Sequence, residues 1–163
     1  MRYLFLVFIL IVACDTKQER TVNSPELLNI AFSDIISKNS KYFKNYRIYI
    51  KKDFNRAFGI ESYNDVEGFS FVDSFDKEDF INFVNKKSNQ KISIEPSTAS
   101  SDTVVYFDFS SILINEEHNI AIFYVQHIMS MGTDNAGEGG IYILEKSNDI
   151  WKIKDVNYTM TLD

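Results

Sequence analysis

The sequence predicts an α+β domain in which N-terminal helices pack on a curved, mainly antiparallel sheet ending in a four-stranded meander. Three observations carry that expectation. Helix-start signals and apolar stripes at helical spacing crowd the first half of the 163-residue chain. Period-two alternation takes over after Lys91, and Asn148-Asp149 sits between two alternating runs as a hairpin turn. Helices first and a run of strands afterwards is the order expected of α+β architecture. The 14 Phe are ample for one packed core, and with only 6 Gly and 2 Pro no low-complexity linker divides the chain.

Residues 1–13 stand apart from that domain. Arg2 precedes an unbroken apolar run over residues 3–13, which Asp15, Lys17, Glu19 and Arg20 cut short. A spanning helix needs about 20 apolar residues, so the run reads as an export signal. Ile11-Val12-Ala13-Cys14 resembles the bacterial lipobox, in which an aliphatic residue and small residues precede a cysteine. That resemblance implies a thioether-linked lipid on Cys14, the only cysteine, and cleavage just before it. Two or three acyl chains at about 0.8 kcal/mol per buried methylene hold a protein stably on a membrane. Residues 14–23 are then a lipidated polar tether, and residues 24–163 a single domain on the periplasmic face or the cell surface.

Within the domain, Ser24-Pro25-Glu26 reads as a helix start, with Ser24 as the capping hydroxyl and Pro25 at the first helical position. Leu27, Leu28, Ala31, Phe32, Ile35 and Ile36 then form a wide apolar stripe. Tyr46, Ile48 and Ile50 alternate as a strand, Phe54 and Phe58 lie one helical turn apart before Gly59, and EGFSFVDS reads as another short strand. SFDKEDFINFVNKK carries a full set of helix signals. Asp76 caps it, Asp79 holds the capping-box position, Phe75 staples to Phe80, and Lys86 and Lys87 sit at the negative end. KISIEP is a strand followed by a polar loop. Residues 103–114, 119–131, 139–146 and 150–160 make up the meander. Its last hairpin sets Ser147 opposite Ile150, Glu145 opposite Lys152 and Leu144 opposite Ile153.

Composition excludes some functions. A formal charge of -6 argues against a nucleic-acid partner, and one cysteine rules out an internal disulfide framework or a cysteine-rich zinc site. No cofactor motif and no catalytic set is legible. GTDNAGEGG reads as a mobile hairpin connection rather than a calcium loop. His127, Met129 and Met131 share one strand face, where soft metal ligation is conceivable. Core packing by Met, with His127 satisfying a buried hydrogen bond, is the simpler account. His118 reads as an exposed turn residue.

The strand VVYFDFSS is the main candidate. Val105, Phe107 and Phe109 define one face, and Tyr106, Asp108 and Ser110 the other. A carboxylate among aromatics can acquire a raised pKa and act as a general base, whereas on a solvated face Asp108 is simply wet. Setting Ile114 opposite Ile120 pairs Asp108 with Gln126 and Phe107 with His127. Tyr106, Asp108, Ser110, Tyr124 and Gln126 then line one face as a possible pocket, and Asp108 and His127 are kept apart.

GEGGIYILEKSNDIWKI resembles the ending of small secreted Bacteroidetes domains, and its closing Trp-Lys-Ile strand is similar to that of the nuclear-transport-factor-like cone fold. The cone-fold resemblance implies a small-molecule carrier or enzyme with a cavity around Asp108. The leading expectation is an envelope lipoprotein whose domain binds a protein or small molecule without catalysis. The carrier or enzyme is the alternative, and an immunity-like partner of an exported toxin a second one.

Overall fold

The computed structural model describes residues 22–44, 46–51, 60, 66–72, 76–87, 91–96, 103–131 and 134–162. The expected helical turn around Phe54 and Phe58 lies outside them. Helix α1 (Ser24–Lys38) forms on the apolar stripe, and Leu27, Leu28, Ala31, Phe32 and Ile35 are all buried. The expected Ser24 cap is corrected. Ser24 lies inside the first turn, its amide donating to the Val22 carbonyl at 3.0 Å, and the Asn23 carbonyl accepts the Glu26 amide at 3.1 Å. The Ser24 hydroxyl is buried without a partner among the described residues. A short helix, α2 (Ser40–Phe43), follows and buries Phe43.

Helix α3 (Lys77–Lys87) starts as its signals imply. Asp76 Oδ1 accepts the Glu78 amide at 2.7 Å, and Phe80 and Val84 are buried. Phe75, the expected staple partner, is outside the described residues. Asn85 extends the helix's reach: its side chain accepts the Ile92 amide at 2.8 Å and donates to the Ile92 carbonyl at 3.0 Å. A side chain thereby satisfies backbone groups at the edge of the sheet.

Eight strands form one mixed, mostly antiparallel sheet: β1 (Arg47–Ile50), β2 (Phe69–Phe71), β3 (Ile92–Ile94), β4 (Val104–Phe109), β5 (Leu113–Asn115), β6 (Ile120–Met131), β7 (Asp134–Ser147) and β8 (Ile150–Leu162). β6 organises it. Along one edge β6 pairs with β4 and then β5, along the other with β7, and β7 pairs with β8. β1 lies parallel to both β3 and β4. Parallel neighbours need a long crossover, and the chain between β1 and β3 contains α3.

The register explains which residues share a face. Asp108 pairs with Gln126 and Phe107 with His127. Ile114, however, pairs with Ala121, not with the expected Ile120, and Leu113 pairs with Ile122. The strand expected over 103–114 is thus split by a one-residue slip between Phe109 and Leu113. Ser110 holds the irregularity, its amide donating to the Tyr124 carbonyl at 3.0 Å and its hydroxyl oxygen accepting the Tyr124 amide at 2.8 Å. A side chain has taken over a backbone acceptor's role, which frees the following residues to change face.

The expected loop before residue 139 is also corrected, since β7 is already paired from Asp134. Its glycines serve close approach. A Cβ on Gly137 would collide with the His127 carbonyl, and one on Gly139 with the Tyr124 hydroxyl. The last hairpin keeps its expected register, with Asn148 and Asp149 at φ 51° and 61°. Both values suit the mirror-image turn that matches strand twist.

The main core lies between the sheet and the helices. Phe32 meets Phe107 at 4.9 Å, and Phe80 meets Phe109 at 5.2 Å and Phe32 at 6.1 Å. On the opposite face Ile60, Leu113, Ile122, Tyr124 and Ile141 form a second cluster. Each fully buried side chain of this kind contributes about 1.5–3 kcal/mol.

Candidate functional site

Cys14 lies outside the described residues. Of the face proposed around Asp108, Tyr106 is half-buried and stacks on Tyr49 at 5.9 Å, while Ser110, Tyr124 and Gln126 are buried. Ser110 and Tyr124 are engaged with each other through the backbone. Asp108 is not simply wet: it is half-buried, and its Oδ1 is sealed from solvent without a partner among the described residues. Burial pushes its carboxyl above the usual carboxylate range, against the pull of Lys51 and Lys77. The second apolar cluster, which includes Tyr124, lies on the same face of the sheet. Asp108 and His127 lie on opposite faces, as their pairing with Gln126 and Phe107 requires.

A cleft of about 220 Å³ opens on the helix side of the sheet, where the last turn of α1 passes over β6, β7 and β8. Helical spacing places Ile35, Lys38 and Asn39 on its upper wall. Period two places Val125 and His127 of β6 in its floor, beside Glu138, Gly140 and Tyr142 of β7. Tyr158 of β8 closes one side. Gly140 pairs with Val125, and a Cβ on it would lie 3.3 Å from the Asn157 carbonyl oxygen and 3.4 Å from Val156.

One polar cluster ties the walls together. Asp34 Oδ2 accepts from Lys38 Nζ at 2.7 Å and from the Tyr142 hydroxyl at 3.0 Å. Lys38 Nζ also donates to the Tyr158 hydroxyl at 3.2 Å and stands 5.9 Å from the centre of its ring. The bond to Asp34 raises the Lys38 ammonium's pKa, and burial pushes the Tyr142 phenol up, with Asp34 adding to it. These contacts join α1 to β7 and β8 through charge-assisted bonds, the stronger kind.

His127 is the anomaly in this cleft. It is only 4% exposed, between Phe43 at 5.4 Å and Phe107 at 5.9 Å. The buried hydrogen bond expected for it is absent: its imidazole makes none among the described residues. Its nitrogens are not among the sealed, unpartnered atoms, because the ring lines the cleft. Burial lowers its pKa, Glu138 opposing weakly, which keeps the ring neutral with one donor and one acceptor nitrogen.

Two further clefts are lined by described residues. One, about 520 Å³ and open, gathers Lys44, Arg47 and Lys91 with Tyr46 and Tyr49. The other, about 190 Å³, includes His118, which is half-buried with Nδ1 sealed rather than exposed as expected. His118 sits at φ 55° in the turn before β6. Among the described residues no three His, Cys, Asp or Glu side chains come together to hold a metal ion. No described helix is long and apolar enough to cross a membrane. No family model matches the chain, and neither a curated protein nor a solved structure matches it.

The polar lining was missed from sequence because it converges from four elements. One part of it was legible: Asp34 and Lys38 stand four residues apart on a helix, a spacing that pairs opposite charges.

Proposed function

We propose that this protein is a lipid-anchored binding protein of a bacterial cell envelope, held to its membrane through Cys14 by the tether of residues 14–23. Its domain is a layer of helices on a curved sheet ending in a meander, and it takes its ligand in the cleft between α1 and β6–β8. The observation that carries this reading is His127. Its ring nitrogens open into the cleft and have no protein partner among the described residues. A ligand bound beside the ring supplies that partner in place of solvent. The lining supports binding rather than turnover: Asp34 is already engaged by Lys38 and Tyr142, and His127 is neutral and set apart from Asp108.

The test is a screen of small fragments by amide chemical shifts of the full chain in lipid nanodiscs. Saturable shifts should concentrate at Val125, His127, Gly139 and Gly140. Hits scattered over other surfaces, with these four amides silent, would refute the reading.

A second reading, a carrier or enzyme with its pocket around Asp108, is supported by the sealed Oδ1. Gln126 beside it is buried and has no hydrogen bond among the described residues. Fragments that shift Tyr106, Asp108 and Gln126 would favour it.

A further inference from the structure

We propose that the cleft takes the cationic end of an apolar stem, an alkylammonium or guanidinium group, whether of a free amine or of a basic side chain. The inference rests on the reading of the cleft as the binding site and adds the chemistry of its ligand. It follows from which charge in the cleft is still unpaired.

The Lys38 ammonium is already matched by the Asp34 carboxylate at 2.7 Å, so this pair presents no net charge to an arriving group. Tyr142 spends its proton on Asp34 and has only lone pairs left. Asn39 spends one of its two amide N–H donors on the Ile35 carbonyl at 3.0 Å, leaving the other and its side-chain carbonyl oxygen. Glu138 lies directly across from His127 and has no ion pair among the described residues. His127, 4% exposed, adds one acceptor and one donor nitrogen.

Lys38, Asn39, Tyr158 and His127 each keep a proton to donate as well, so what distinguishes the cleft is its uncompensated charge, the single negative one of Glu138. An anion would meet a lysine already neutralised and a carboxylate that repels it. A neutral stem would leave the Glu138 carboxylate without a counter-charge. A cation meets that carboxylate, and its stem finds Ile35, Val125 and the backbone of Gly140. A volume of about 220 Å³ lies below the range of drug-sized ligands and suits one side chain or a short alkylamine.

The experiment compares butylamine, butanol and butyrate, which share a stem and differ in charge. Each is titrated at pH 7.5 into the full chain in nanodiscs while the His127 ring resonances are followed. Butylamine should shift them saturably, at a concentration at least about tenfold lower than butyrate. Glu138→Gln, at an exposed position, should weaken butylamine about three- to fivefold, the range of an exposed ion pair. An Nα-acetyl-lysine methylamide probe separates the sources: binding as tight as butylamine assigns the cation to a protein segment, and much weaker binding assigns it to a free amine. Equal binding of butyrate or butanol, or indifference to Glu138→Gln, would overturn the cation assignment and leave the cleft intact. Silence of His127 towards every probe would overturn the cleft reading as well.

Discussion

Replacing Phe80 by Ala probes whether α3 is held to the sheet as described. Phe80 is 0% exposed, and its ring packs against Phe109 at 5.2 Å and Phe32 at 6.1 Å, both edge-on. Losing the buried ring forfeits about 1.5–3 kcal/mol of transfer free energy. The two aromatic contacts add about 0.5–1.5 kcal/mol each. Helices α1 and α3 and the sheet enclose the site on several sides, so a cavity remains after truncation. The expected loss is about 3–5 kcal/mol. With a urea dependence of about 2 kcal/mol per molar, the unfolding midpoint falls by about 2 M. Urea titration of the full chain, followed by circular dichroism and Trp151 fluorescence, measures it. Phe83, half-buried on the same helix under Lys87, is the control, and its Ala variant should lose much less. A Phe80→Ala loss below about 1 kcal/mol, the scale of surface substitutions, would refute the packing argument.

Other variants test separate parts of the account. Cys14→Ser should release the domain from membranes or stall its processing, read by detergent partitioning and labelled-palmitate incorporation; unchanged fractionation, with no lipid on the wild type, would refute the anchor. Asp108→Asn should stabilise the fold at pH 7, because the carboxylate's folded pKa is raised by burial. Ionisation above about pH 3.8 is therefore penalised only in the folded state, so the gain should vanish in denaturant midpoints measured below that pH. His127 has the opposite shift, so acidification below about pH 6.5 protonates the unfolded chain first and costs stability. His127→Phe should flatten that part of the stability profile.

What was legible in the sequence was local. Asn148-Asp149 fixes the pairing of Glu145 with Lys152 and Leu144 with Ile153, because a two-residue turn leaves one register. Asp76 and the charges of α3 mark that helix for the same reason: caps act within one turn. The parallel pairing of β1 with β3 and β4 was not legible, since the partner is chosen across a long crossover by packing. Nor was the slip at Ser110, where a hydroxyl substitutes for a backbone acceptor. Alternation placed Asp108 and His127 on opposite faces correctly, but it carried no information on which face was covered. That depended on Leu113 changing sides and joining Ile122, Tyr124 and Ile141. The cleft was hidden because Lys38, His127, Glu138 and Tyr158 meet only after α1 is laid across three strands.

The claim that His127 is kept for a ligand rather than for the core is tested most directly by titrating butylamine into the wild type and His127→Phe side by side, with the urea midpoint of each recorded. Phe fits a ring site between Phe43 and Phe107, and near-isosteric core exchanges cost under about 1.5 kcal/mol. The expected result is a midpoint that holds or rises at pH 7.5 while binding in the cleft falls at least about tenfold. A variant that unfolds readily yet binds butylamine as the wild type does would show that His127 serves the fold and would contradict the account.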